Sequence, residues 1–237
     1  MYKKAHWWVL GISLLIISGF LPTYILNIDQ IATRAHWHFW TCVLWMAYLF
    51  CQAYFAANKK MHYHKLLGWS SVIIFTLMIG VGYYTVWYSS NAALSGAPEL
   101  FSKLYLFDVL FLTTSVCFYV LAIVNRKKVQ IHQRLMLFTL VALAPPGYGR
   151  AMFFYILGPM GLPFSAIYHP MMLMMVLFIG VMAFKENWKY WPTNLTFGLL
   201  VGFYIVSFWV PEFTWWFEFW KEYGLPADEY EKMLPNM

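Results

Sequence analysis

Residues 35–57 read AHWHFWTCVLWMAYLFCQAYFAA, without an Asp, Glu, Lys or Arg among them. A helix needs roughly 17–25 mostly apolar residues to cross a bilayer, and this stretch supplies that length in one piece. Further runs of the same kind lie on both sides of it. Together they predict membrane-crossing helices at about 6–27, 35–57, 66–88, 103–124, 134–157, 163–184 and 192–210. The expected fold is therefore all-α, an integral membrane bundle of about seven transmembrane helices.

Composition points the same way. The chain has 237 residues, 62% hydrophobic and 22% aromatic, and only 11% charged, against about 25% in an ordinary soluble domain. So little polar surface cannot cover a water-exposed globule of this size. All the apolar runs belong to one bundle, so residues 1–237 are expected to form one transmembrane helical domain.

The formal charge of +6 suggests nucleic acid only until the basic residues are located. They fall in short clusters between apolar runs and so read as topology determinants. Lys3 and Lys4, then Lys59, Lys60 and Lys65, then Arg126, Lys127, Lys128 and Arg134, then Lys185 and Lys189 all fall on one side. That side is expected to be the cytoplasm, which puts the N-terminus inside and the C-terminus outside, as in a multi-pass protein of a bacterial inner membrane. The first run is expected to stay as a helix, because no small-residue cleavage site follows it. The tail, about 211–237, has Trp, Phe and Glu packed between Trp215 and Trp220 and is expected to lie at the outer headgroup level. Pro145, Pro146 and Pro170 are expected to bend or break the fifth and sixth helices.

Cys42, Cys51 and Cys117 lie inside apolar runs with no C-x-x-C spacing, so neither a disulfide framework nor a zinc ribbon is suggested. No Walker A loop and no G-x-G-x-x-G occurs, and the last helix lacks a lysine for a retinal Schiff base.

Ionisable and polar residues within the runs carry the functional signal, because each costs free energy in lipid and so turns inward. His38, Trp45 and Gln52 are spaced by seven and form one stripe along the second helix. His36 lies about 200° around that helix from His38. Asp108 and Arg150 enter the fourth and fifth helices at the outer level, where they act either as a structural ion pair or, with His38, His169, Tyr148 and Tyr168, as a polar chamber. At the cytoplasmic ends, His62, His64 and Lys65 precede the third helix, and His132 and Arg134 open the fifth. These either snorkel to lipid phosphates or place His64 opposite His132.

This ordered set resembles an uncharacterised family of bacterial multi-span membrane proteins. The resemblance rests on His38, Trp45 and Gln52, on His64-Lys65 with Gly68, on His132-Gln133-Arg134-Leu135-Met136, and on Arg150. It covers roughly residues 36–150. Family members often carry an Asp late in the next helix and a His-Pro before the last one, where this chain has Phe184 and Trp191-Pro192. The resemblance implies a fold and a set of positions, and no activity.

Three functions compete. In the leading one, the bundle binds b-type haem for electron transfer, with His64 and His132 as one pair of axial ligands and His38 and His169 as a second. The alternative enzyme is a metal-dependent membrane hydrolase, with zinc on His38, Asp108 and His169. The non-enzymatic alternative is a lipid- or small-molecule-binding protein, a sensor or an accessory subunit. In that case Trp45, Gln52, Arg134, Tyr148 and Arg150 line a ligand site or a structural polar cluster. Expected partners are membrane lipids and a second copy or larger membrane complex, and no nucleic acid. The methionines at 171, 172, 174 and 175 either line a pliable pocket or simply pack.

Overall fold

The computed structural model of the protein describes residues 4–31, 33–96 and 98–208, with side chains throughout except at 89–105 and 164–165. Among these residues the architecture is all-helical. The helices are α1 (Ala5–Phe20), α2 (Thr33–Ala57), α3 (Met61–Gly68), α4 (Ser70–Gly96), α5 (Pro98–Val124), α6 (Val129–Ala142), α7 (Pro145–Met152), α8 (Tyr168–Lys185) and α9 (Trp191–Val206). The expected interfacial tail lies outside the described residues.

Within α2, α4, α5 and α8 stand four helices long and apolar enough to cross a membrane, and the bent pair α6 and α7 makes a fifth if taken as one span. α1 and α9 are apolar but shorter, at 16 residues each. α8 shows what kind of surface results. Met171, Met172, Met175, Ile179 and Ala183 are buried on one face, while Leu173, Leu177, Phe178, Val181 and Phe184 are exposed on the other. A helix that is hydrophobic all round belongs in a membrane or a large core, so the exposed face is a lipid-facing one.

Three differences from the sequence reading have local causes. α1 stops at Phe20, earlier than the expected 27, because Pro22 has no N–H with which to continue the hydrogen-bond ladder. The expected third span begins with a separate short helix, α3, which buries none of its residues. Pro145 and Pro146 do break the fifth span, and the axis turns by 53° between α6 and α7. Pro170 does not break anything, since it lies in the first turn of α8, where its missing N–H has no helical partner to lose.

Two apolar cores form, one among α1, α2 and α4 and one among α7, α8 and α9, and α5 and α6 contribute to both. α1 packs against α2 and α7, and its approach to α7 needs glycine on both sides. A Cβ on Gly19 would stand 1.9 Å from the Gly147 carbonyl oxygen, and one on Gly147 would stand 2.7 Å from Ile16. Small residues allow such backbone contact between helices in lipid. The contact holds α7, and Arg150 with it, beside α1.

Candidate functional site

The bend between α6 and α7 lets Arg150 enter the bundle interior. There a cavity of about 210 Å³ opens between α1, α2, α4, α5, α6 and α7, lined by His38, Cys42, Trp45, Thr85, Asp108 and Arg150 among apolar side chains such as Phe20, Met78 and Phe111. That volume has room for at least roughly seven waters, and it falls short of the roughly 300–1,000 Å³ that drug-sized ligands occupy.

The polar wall is only partly satisfied by the protein. Arg150 donates from Nη1 to the Pro146 carbonyl at 2.9 Å, and its guanidinium carbon stands 5.0 Å from the Phe20 ring centroid. It shares the cavity wall with His38 and Asp108. Thr85 donates to Val81 O at 2.8 Å. His38 Nδ1 and the indole Nε1 of Trp45 are buried without a hydrogen-bond partner, and Gln52 Oε1 further along α2 shares that condition. All three positions of the His38, Trp45 and Gln52 stripe thus hold a buried polar atom that the protein leaves unanswered. Such atoms are rare in folded proteins and usually have a water or ligand as partner.

Of the outer residues named from sequence, His38, Asp108 and Arg150 come together and the others do not. His169 stacks on Phe208, with ring centroids 5.0 Å apart, and meets Tyr204 edge-on at 5.9 Å. It does not line the cavity. The reason is rotational, since the expected depth was a matter of sequence position while the direction of the side chain follows from how α8 packs on α9. Tyr148 donates to Met174 Sδ at 2.9 Å, and Tyr168 packs on Phe107. Among the described residues no three His, Cys, Asp or Glu side chains converge as a metal set, so the zinc trio of His38, Asp108 and His169 is not assembled. Met171, Met172 and Met175 pack in the core. His36 ties the first turn of α2 to the segment before it, with Nδ1 at 2.6 Å from the Tyr24 hydroxyl and Nε2 at 3.1 Å from Ile31 O.

At the other end of the bundle His64 and His132 face each other, ring centroids 6.4 Å apart and planes at 83°. Each ring is held by a backbone carbonyl: His64 Nδ1 lies 3.3 Å from Gln52 O, and His132 Nδ1 lies 2.9 Å from Ala122 O. Burial pushes the His64 pKa below the usual imidazole range, partly offset by that hydrogen bond. Nearby, Gln52 donates to the Tyr48 hydroxyl at 3.1 Å, Tyr48 donates to Leu67 O, and Ser71 joins Tyr119 at 2.8 Å. These bonds tie α2 to α3 and α4 to α5.

Arg134 has a different use. It is 3% exposed, and its Nη2 meets Glu186 Oε1 at 2.5 Å. Nη1 donates to the Gln130 carbonyl at 2.8 Å and to its side chain at 2.9 Å, and the guanidinium lies 3.6 Å above the Tyr190 ring centroid. Thr193 donates to Glu186 Oε2 at 2.9 Å. Glu186, Tyr190 and Thr193 escaped the sequence reading because they sit in and after a stretch flanked by Lys185 and Lys189 that read as a basic loop. The signal was a lone acidic residue between two lysines at the end of an apolar run.

No family model, curated protein or solved structure matches the chain. The fold and the site therefore rest on the chain's own geometry.

Proposed function

We propose that this multi-pass membrane protein binds a small ligand in the cavity between α1, α2, α4, α5, α6 and α7, and that the ligand has a short apolar body and a carboxylate or similar acceptor head. The observation that carries this reading is the pair of unanswered buried polar atoms, His38 Nδ1 and Trp45 Nε1, in a cavity wall that also holds Arg150 and Asp108. Indole N–H is a donor only, and guanidinium has donors and no acceptor. The indole therefore asks for an acceptor, and the Arg150 charge in the same wall favours an anionic one, while Asp108 takes a donor from the ligand or from a water beside it. A pocket that is mostly apolar with a few convergent polar groups is the usual form of a small-ligand site. In this reading seven segments cross the bilayer, α1 and α9 included, with the lysine- and arginine-rich connections on the cytoplasmic side.

The test is thermal unfolding of the detergent-purified protein in a series of straight-chain carboxylates from acetate to hexanoate, alongside native mass spectrometry of protein taken directly from cells. We expect saturable stabilisation by one chain length, about 2.7 kcal/mol at a hundred times Kd, that is absent from Arg150→Met. The proposal is lost if no carboxylate stabilises the wild type beyond Arg150→Met and no small molecule accompanies the protein from cells.

A further inference from the structure

The facing imidazoles of His64 and His132 lie apart from the cavity and use different chemistry. Each Nδ1 is engaged by a backbone carbonyl, Gln52 O for His64 and Ala122 O for His132. A carbonyl only accepts, so both rings carry their proton on Nδ1 and present an unprotonated Nε2. That is the arrangement in which histidine binds metal, with the second nitrogen fixing tautomer and ring direction. Two such rings, each held by a carbonyl, from α2 and from α5, stand side by side as a donor pair.

The spacing identifies what fits between them. A metal–imidazole bond is about 2.0–2.1 Å long, so two collinear imidazoles on one metal have ring centroids roughly 6 Å apart. The observed separation is 6.4 Å. A bare zinc ion takes three or four protein ligands, whereas no third His, Cys, Asp or Glu joins these two among the described residues. A pair of imidazoles is complete for iron whose remaining four positions are filled by a macrocycle.

We infer that His64 and His132 are the axial ligands of a b-type haem bound between the α3 helix and the start of α6. Two further features suit this cofactor. α3 buries none of its residues, so a flat macrocycle lying against it takes none of its side chains out of a core. The site is flanked in sequence by Lys65 on one side and by Arg126, Lys127 and Lys128 on the other, cations suited to haem propionates. The inference does not depend on the cavity ligand, since the two sites share no proposed contact.

The experiment is absorption spectroscopy of the full chain purified from haem-replete cells, oxidised and dithionite-reduced, with a titration of ferric haemin into any colourless fraction and elemental analysis on the same sample. The expected result is the spectrum of a six-coordinate low-spin b-type haem, lost in His64→Ala and in His132→Ala and kept in His62→Ala. His132→Met should convert it to a His/Met spectrum, a readout that a merely unfolded variant cannot produce. Gel filtration and circular dichroism establish that the alanine variants remain folded. A protein that stays colourless after haemin titration overturns the inference, as does stoichiometric copper or zinc without haem. A haem spectrum unchanged in both alanine variants also overturns it, because the iron would then have other ligands.

Discussion

Arg134 and Arg150 stand on the two halves of one bent helix pair, and the fold treats them differently. Arg134 at the α6 end is held by Glu186, Gln130 and the face of Tyr190. Arg150 at the α7 end donates to Pro146 in its own helix and stands in a cavity wall with His38 and Asp108. Both are costly charges in an apolar bundle, and each needs a polar reason to be there. For Arg134 the reason is structural, because the ion pair joins α6 to the turn between α8 and α9. For Arg150 the 53° bend aims the side chain at a space that the protein does not fill. A buried charge is thus classified by what its donors meet, and residue type alone does not decide it.

That contrast can be broken by mutation. The largest effect is expected from Glu186→Leu, which leaves the Arg134 charge buried without its carboxylate and should cost about 3–5 kcal/mol, read as a lowered Tm in detergent. If Arg150→Met is as damaging to the ligand-free protein, the two arginines have the same role and the distinction fails. Next in size is Gly19→Ala, whose new methyl must push α1 from α7 against backbone and should cost about 1–3 kcal/mol. Gly11→Ala, with open space around it, is the matched control and should be neutral or stabilising by about 0.4–1 kcal/mol. Chemical denaturation of the pair measures the difference.

Smaller effects sharpen the comparison. Arg150→Met should cost less ligand-free stability than Glu186→Leu, since it removes the buried charge itself and does not strand a partner's, while removing carboxylate stabilisation. The smallest binding change is expected from Trp45→Phe. Its indole N–H has no partner in the protein, so no hydrogen bond is lost, and the cost is that of a smaller ring in a fully buried site, on the order of 1–3 kcal/mol. The same variant should weaken carboxylate binding several-fold in the thermal assay. Wild-type binding in Trp45→Phe would exclude the indole from the ligand site.

Much of the molecule was legible in the sequence. The long apolar runs gave helices at every expected position, and the seven-residue spacing placed His38 and Trp45 on one face, both in the cavity wall, with His36 turned elsewhere. The depth of Asp108 and Arg150 along their runs brought them to the same level as His38. Other features depended on rotation and partner choice. His169 had the right depth and points toward α9. Glu186 was hidden among lysines until the turn after α8 folded back over Arg134. Pro170 carried a breaking signal that its place in the first helical turn cancelled.

By itself the sequence determined that this chain fills a membrane with helices and that a few polar residues must turn inward, because apolar length and the cost of charge in hydrocarbon are local properties of each segment. Only the tertiary structure decided which polar groups meet, which arginine is clamped and which lines a cavity, and that His64 faces His132. Those outcomes follow from helix rotation, bend and close approach, which are set by packing against neighbours and are not written in any one segment.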